Sequence, residues 1–276
     1  LDTALLWERI VHERKRLKRV VVTSSMSCYG EGSYWHELTE CILHGGVRRV
    51  FGDDMGFDCF EGEGKIISPG TLTPFPTPEA KLLEPASVYA LTKMDQEKYS
   101  LLIGEAYGVS TCALRLFGTY GIPQALGNPY TGALAIFCTN AINGTPIPIF
   151  EDGLQSRDLI HVTDVAKAFV AAVEGEMIGP YNIGTGGCVT MKELAELVCA
   201  EIPSNAGLDI LGKFRSGDIR HCISNSEAFS SFGWTPEMPL AQGVKETCAW
   251  VSSLKAPPDS GSATAMKLLS KANLIR

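Results

Sequence analysis

Short apolar runs alternate with longer helical patterns along this chain, and that alternation constrains its fold more than any other feature. Arg19-Val-Val-Val-Thr23, Thr111-Cys-Ala-Leu-Arg-Leu-Phe117, Ile147 to Phe150, Leu159-Ile-His-Val162 and Tyr181-Asn-Ile183 have strand character. Helical spacing marks residues 3–18, 87–107, 131–143, 164–174, 191–202 and the stretch from about 240 to 254. Apolar runs without polar alternation suit strands buried on both faces, as in a parallel sheet. Parallel strands need crossovers, and the intervening helices supply them. The pattern predicts an α/β fold with a mainly parallel, doubly wound sheet covered on both faces.

Local signals refine the pattern. Thr163 is placed to cap the helix over 164–174, and Thr190 with Glu193 forms a capping box before the next helix. A small helix is expected near 226–231. Residues 256–264 read as a linker, and the last dozen residues as a loose helix. Residues 31–84 are the least regular part, rich in Gly, Pro, Asp and Thr, with only weak strand or helix patterns. A loop of that length is usually functional or disordered.

Composition narrows the function classes. Apolar residues make up 45% and charged residues 20%, as in an ordinary soluble globular protein. The net charge of −7 argues against a general nucleic-acid surface. The basic run His12 to Arg19 reads as a solvated helix end. No run of about 18 apolar residues suggests a membrane span. Residues 1–20 are amphipathic and charged, so no signal peptide is expected. The chain opens on Leu1 in mid-helix, and we expect a fragment or a product without its true N-terminus. Nine cysteines, at 28, 41, 59, 112, 138, 188, 199, 222 and 248, form no Cys-x-x-Cys pair. They read as reduced, buried thiols of a cytoplasmic protein. Cys41 and Cys59, with His36 and His44, make a poor four-ligand set, and no metal is expected.

The chemistry centres on Tyr89-Ala-Leu-Thr-Lys93, at the start of a helical pattern. A spacing of four puts phenol and ammonium on one helix face. A free tyrosine ionises near pH ~10, and a nearby cation favours its phenolate. Tyr-x-x-x-Lys is therefore a way to build a proton-transfer tyrosine, although the same spacing is common on solvated helix faces. Ser24 and Ser25 stand in the loop at the C-terminal end of the first strand, the end where open α/β sheets bind ligands.

Five blocks, taken in order, carry a resemblance. They are Thr23-Ser-Ser-x-x-x-Tyr29-Gly30, Pro85-x-Ser-x-Tyr-x-x-x-Lys93, Leu114-Arg-x-Phe-x-x-x-Gly121, Asp152-Gly-x-Gln-x-Arg-Asp-x-Ile-His-Val162 and Asn182-Ile-Gly-Thr-Gly186. Over roughly residues 1–250 the chain resembles the extended short-chain dehydrogenase/reductase family, in its NAD-dependent sugar-nucleotide epimerase and dehydratase branch. The resemblance implies a Rossmann-like sheet that lacks its first strands, with a smaller C-terminal substrate-binding region. Residues 1–125 would be the C-terminal half of the NAD-binding domain, with 31–84 as an insert and strands and helices between 145 and 190 returning to it. Residues 126–254 would mostly bind substrate, and 255–276 would be linker and tail.

Roles follow from the same resemblance. Tyr89 would be the catalytic acid/base. Lys93 would hold the nicotinamide ribose and favour the phenolate of Tyr89. Ser25 would be the catalytic serine, hydrogen-bonding the reacting oxygen, against the plainer reading of a turn hydroxyl bonding its own backbone. Ser24, Tyr89 and Lys93 would touch the cofactor. Arg157 and Arg215 would hold a nucleotide diphosphate, against the alternative of ion pairs with Asp158 and Asp218. Asn128 and Tyr130 would contact substrate, and His161 is expected to be structural. The implied partner is a nucleotide-diphosphate sugar, and a homodimer is implied by analogy.

Departures from the family pattern also matter. No glycine-rich dinucleotide fingerprint occurs, and Gly184-Thr-Gly186 cannot replace it. Gly118 stands where the family usually has Asn. Ser25 and Tyr89 are 64 positions apart, a long separation for the family. Some bacterial relatives carry a cysteine-bearing insert there. The favoured activity is C4 epimerisation of a nucleotide-linked hexose or deoxyhexose through a transient keto-sugar, and the run from Asn128 to Phe137 looks most like relatives acting on dTDP-rhamnose. Met26 and Ser27 after Ser25 disfavour the dehydratase branch, which places an acidic pair there. A reductase stays open. So does a catalytically incomplete remnant that binds sugar nucleotides without its own NAD site and leaves a sheet edge exposed.

Overall fold

The computed structural model describes residues 2–13, 17–44, 48–49, 60–62, 65–67, 72–128, 132–203, 207–215, 217–254 and 259–275. Helix α1 (Asp2–His12) leads into strand β1 (Arg19–Ser25), which runs into a single 3-10 turn, Met26–Tyr29. Strands β2 (Ser33–His36), β3 (Cys41–Leu43), β4 (Arg48–Arg49), β5 (Phe60–Gly62), β6 (Lys65–Ile67) and β7 (Leu72–Thr77) follow. Then come α2 (Val88–Tyr107), β8 (Ser110–Leu116), β9 (Gly118–Tyr120), α3 (Ala133–Ile142), β10 (Ile147–Ile149), β11 (Ser156–Arg157), β12 (Leu159–His161) and α4 (Val162–Glu174). The chain continues through β13 (Gly179–Ile183), β14 (Val189–Thr190), α5 (Met191–Glu201), β15 (Leu208–Ile210), β16 (His221–Ser224), α6 (Glu227–Ser230), α7 (Leu240–Ser253) and α8 (Ser262–Lys271).

The central sheet is parallel, in the order β1-β8-β13, with Ser25, Leu116 and Ile183 in register at its C-terminal rim. Side chains alternate across β8. Cys112 and Leu114 pack against Val165, Ala168 and Ala172 of α4. Thr111 and Arg115 face α2 on the other side, so the sheet is doubly wound as expected. Gly104 lets α2 come close, because a Cβ there would lie 2.1 Å from Thr111 Oγ1. Helix α1 lies on α2, where buried Trp7 donates its indole N–H to Ser100 Oγ at 3.0 Å. A second apolar core joins α3, α5 and α7 through Leu134, Phe137, Leu194, Val198, Val244 and Val251.

One buried network ties the central sheet to α2. Arg115 grips Glu97 with two nitrogens, Nη2 to Oε1 at 2.6 Å and Nε to Oε2 at 3.0 Å. Ser24 Oγ donates to Glu97 Oε2 at 2.6 Å. Arg115 Nη1 donates to the Tyr29 hydroxyl at 2.7 Å, and that hydroxyl donates to Asn182 Oδ1 at 2.7 Å. Asn182 in turn donates to the carbonyls of Thr77 and Asn225. Burial pushes the Tyr29 phenol well above its ordinary range, despite the neighbouring guanidinium.

Several expectations need correction. The described residues of 31–84 are not one irregular loop. Strands β2, β3 and β7 join a six-stranded mixed sheet in the order β14-β11-β16-β7-β2-β3. These strands are three to six residues long, and β7 carries Pro74 and Pro76. The pairing of β7 with β16, far along the chain, and of β2 and β3 onto β7 overrides weak local propensity. The buried strand expected at Arg19–Thr23 is an edge strand, pairing among the described residues with β8 alone, and Thr23 is exposed. The first helix ends at His12, short of residue 18, with 14–16 outside the described residues. His161, not Thr163, caps α4, accepting from the Thr163 N–H. Thr190 and Glu193 do form the capping box of α5.

The cysteines also divide. Cys28, Cys112, Cys138, Cys222 and Cys248 are buried, Cys199 is half-buried, and Cys41 and Cys188 are exposed. Cys59 lies outside the described residues. No described helix is long and apolar enough to cross a membrane.

The Glu97–Arg115 pair generates a stability prediction. Arg115→Ala leaves a buried carboxylate unpaired and should lower the unfolding free energy by about 3–5 kcal/mol. Denaturant titration measures it, and a loss under about 1 kcal/mol would show that the pair anchors nothing.

Candidate active site

A cavity of about 920 Å³ opens at the C-terminal rim of the central sheet, between that sheet and the α3–α5–α7 cluster. Its wall brings together Ser25, Ser27, Ser87, Tyr89, Arg157 and Arg215, from four separate stretches of chain.

Ser25 ends β1 and caps the 3-10 turn. Its Oγ accepts from the Ser27 N–H at 3.2 Å and from the Ser27 hydroxyl at 2.8 Å. A hydroxyl has two lone pairs and one proton, so both acceptor positions are filled and the proton remains to donate. The plain reading as a turn hydroxyl is therefore met, and it leaves the hydroxyl proton available. Tyr89 stands in the first turn of α2, which begins because Ser87 Oγ accepts from the Ala90 N–H at 3.1 Å. Its ring is 58% exposed, and its hydroxyl has no hydrogen-bond partner among the described residues.

Lys93 lies one turn further along α2. Its ammonium donates to the Thr23 carbonyl at 3.0 Å and to Gln96 Oε1 at 3.1 Å, at the open edge of β1. It is not on the cavity wall. Ser24 is turned away as well. Strand alternation sends its side chain to the opposite face from Ser25, where it bonds Glu97, so a cofactor contact through the Ser24 hydroxyl is corrected.

On the far wall, Arg157 Nη1 donates to the carbonyls of Ser156 and Arg220. Arg215 donates from Nε to Asp218 Oδ2 at 2.9 Å, and its guanidinium lies 4.6 Å from the centre of the Phe150 ring. The ion pair with Asp218 thus exists, but it uses the inner nitrogen and does not engage the terminal pair. The alternative pairing of Arg157 with Asp158 does not form. Asp158 is buried and accepts from the Thr185 N–H and hydroxyl, the Gly186 N–H, and the Ser224 N–H and hydroxyl. Gly184 is required there, because a Cβ would lie 2.5 Å from Asp158 Oδ2. The Gly184-Thr-Gly186 turn is thus a receptor for a carboxylate of its own chain, not for a dinucleotide.

The remaining expected residues divide. Asn128 is exposed in the loop before α3, and Tyr130 lies outside the described residues. His161 is structural, with Nδ1 2.8 Å from Thr163 Oγ1 and its ring edge-on to Tyr120. At Gly118 a Cβ would lie 2.7 Å from Leu159 Cδ2 and 2.8 Å from the Asp158 carbonyl, so the family's usual side chain has no room. His44 Nδ1 lies 2.9 Å from Ser33 Oγ, and Cys41 contacts Thr39. No group of three or more potential metal ligands occurs among the described residues.

Known proteins with this arrangement are many. Residues 64–184 match the NAD dependent epimerase/dehydratase family. The chain is 32% identical over 257 residues to the dTDP-L-rhamnose 4-epimerase of Burkholderia thailandensis, covering 91% of this chain and 68% of that one. The chain belongs to the NAD dependent epimerase/dehydratase family. It is also 34% identical over 181 residues to a putative UDP-glucose 4-epimerase of Methanocaldococcus jannaschii, covering 64% of this chain and 57% of the relative. Among solved structures, the UDP-N-acetylglucosamine 4-epimerase of Methanobrevibacter ruminantium, in complex with UDP-N-acetylmuramic acid, superposes with a TM-score of 0.70. It is 25% identical, with 91% of this chain and 67% of that one covered. The chain thus spans 57–68% of the length of these relatives.

NAD fits the residues present at one end. Tyr89, Lys93 and the Ser25 hydroxyl converge on the C-terminal end of β1, and the Lys93 ammonium holds two of its three possible acceptors. They suit the nicotinamide ribose end of the dinucleotide.

One wall residue escaped attention in the sequence beyond its place in a family block. Gln155 is 6% exposed, lines the cavity beside Arg157, and leaves Oε1 without a hydrogen-bond partner. A buried orphan acceptor costs about 1–3 kcal/mol, which a donor entering the cavity would recover. Gln155→Leu should therefore leave the empty protein as stable or about 1 kcal/mol more stable, measured by denaturant titration. A clear loss of stability would show that the oxygen is already satisfied.

Proposed function

We propose that this chain epimerises a nucleotide-diphosphate sugar at C4 through a transient keto-sugar, with NAD as its cofactor. The observation that carries the reading is the shared cavity, lined by Ser25, Tyr89, Arg157 and Arg215 together. Two guanidiniums suit the oxygens of a diphosphate. A sugar attached to that diphosphate reaches towards the hydroxyls at the end of β1.

Tyr89 takes the proton of the sugar hydroxyl and returns it at the end of the cycle. Ser25 donates its remaining proton to the same oxygen and holds it in place. Lys93, one turn along α2, supplies positive charge beside the phenol. NAD, when bound, supplies the hydride acceptor and donor, so no net oxidation occurs. Arg157 and Arg215 retain the diphosphate while the sugar presents its other face. The apolar Met26 and the neutral Ser27 next to Ser25 support epimerisation over dehydration, which needs an acidic group there.

Similarity over 91% of the chain to a dTDP-L-rhamnose 4-epimerase supports a deoxyhexose as the sugar. Exposed Tyr99, Leu102 and Tyr107 on α2 support a homodimer through that helix. The buried thiols suit a reducing cytoplasm. A second reading, a sugar-nucleotide binder that holds no NAD, draws on the open edge of β1 with Thr23 exposed.

Two measurements test these readings. Titration of the purified chain with NAD should show saturable binding, and its failure would favour the second reading. Tyr89→Phe should cut turnover about 10²–10⁴-fold while nucleotide-sugar affinity changes little, because it removes a proton carrier and almost no surface. Unchanged turnover would remove Tyr89 from the mechanism.

A further inference from the structure

The C-terminal segment is a strap across the mouth of the cavity. Its near end is fixed on α3. Ser260 is buried and donates from Oγ to Asn140 Oδ1 at 2.6 Å, while Asn140 Nδ2 donates to the Pro146 carbonyl at 2.9 Å. Gly261 then takes φ +68°, which a residue with a side chain adopts at a cost, and α8 starts. The far end is fixed as well, since Ile275 forms an antiparallel bridge with Arg215. Between these ties, Ser262, Ala265, Met266 and Leu269 occupy one helix face at spacings of three, one and three. All four line the cavity, as does Leu274 beyond the helix. The opposite face carries Leu268, 59% exposed and off the wall.

Position along the cavity decides what this wall meets. The reacting hydroxyls stand at the end of β1. The strap is bridged to Arg215, one of the two arginines on the cavity wall. Resting on the reading of the cavity as a nucleotide-sugar site, a ligand with its sugar at Tyr89 and its diphosphate on the arginines carries its nucleoside beyond them. We propose that Met266, Leu269 and Leu274 form the nucleoside-contacting wall of the site and contribute to nucleotide affinity. The faces of a pyrimidine base are flat and apolar, as is this wall together with Pro148, Ile149 and Phe150. The bridge to Arg215 links diphosphate binding to the strap, so a nucleotide seated on that arginine also quiets residues 262–275.

Titration calorimetry with UDP and with dTDP tests the proposal without any need for NAD or turnover. Met266→Ser with Leu269→Ser removes apolar contact but no charge, and should weaken both nucleotides about tenfold or more. Leu268→Ser, on the outer face, should change affinity less than about twofold. Hydrogen exchange of the unaltered chain should slow across 262–275 when UDP is added. Both readouts are required. Equal affinity in the inner-face and outer-face variants, or exchange unmoved by UDP, overturns the strap and leaves the site intact. If the unaltered chain binds neither nucleotide, the nucleotide-sugar reading itself falls, and the strap falls with it.

Discussion

The arrangement of the site depends on the buried pair Glu97–Arg115. Each side chain is nearly inaccessible, and the guanidinium meets the carboxylate through two nitrogens. Such a pair contributes little net stability compared with an apolar replacement, since desolvation offsets its attraction. Its effect is geometric. It fixes the rotation and height of α2 against β8, and Tyr89, Lys93 and Glu97 follow one another at intervals of four on that helix. Tyr89 stands eight residues, about 12 Å, from the anchor. Ser24 bonds the same carboxylate, so its neighbour Ser25 is set from the same point.

A second buried carboxylate does the same for the opposite wall. Asp158 is held by the Gly184-Thr-Gly186 turn and by Ser224. Arg157, one residue earlier, points the other way into the cavity. In both places adjacent residues divide the work by strand alternation, one anchoring and the next facing the ligand. A motif such as Ser24-Ser25 or Arg157-Asp158 is therefore half structural, and a role assigned to the whole motif is too broad. The correction of Ser24 arises from that alternation.

This also explains what could be read in advance. The parallel sheet, α2 and the α5 capping box were legible because their signals are local: apolar runs, helical spacing, and Thr190 paired with Glu193. Ser25, Tyr89 and Arg157 stand in the ordered blocks and Arg215 came from the same family resemblance, and the fold gathers the four around one cavity. The six-stranded mixed sheet was not legible, because β7 pairs with β16 across a long stretch of chain and its prolines argue against a strand. Nor was the role of α8. Met266 and Leu269 look like any amphipathic tail until Ser260 and Ile275 are seen fixed at either end. Gln155 shows its orphaned oxygen only once the wall around it is built.

Two tyrosines show how the structure separates a packed phenol from one left open at the cavity. Tyr29 is fully buried, accepts from Arg115 and donates to Asn182, so both hydrogen-bonding capacities of its hydroxyl are occupied. Burial also opposes its phenolate, and it can only brace the sheet. Tyr89 is exposed at the cavity with both capacities open. Its neighbours are open by degrees. Ser25 is held through its lone pairs and keeps its proton. Lys93 is held by two acceptors and keeps one donor. A side chain fully satisfied within its own chain has nothing left to offer a ligand, while one with no fixed partner is poorly positioned. Ser25 and Lys93 lie between these limits, which fits the roles proposed for them beside Tyr89.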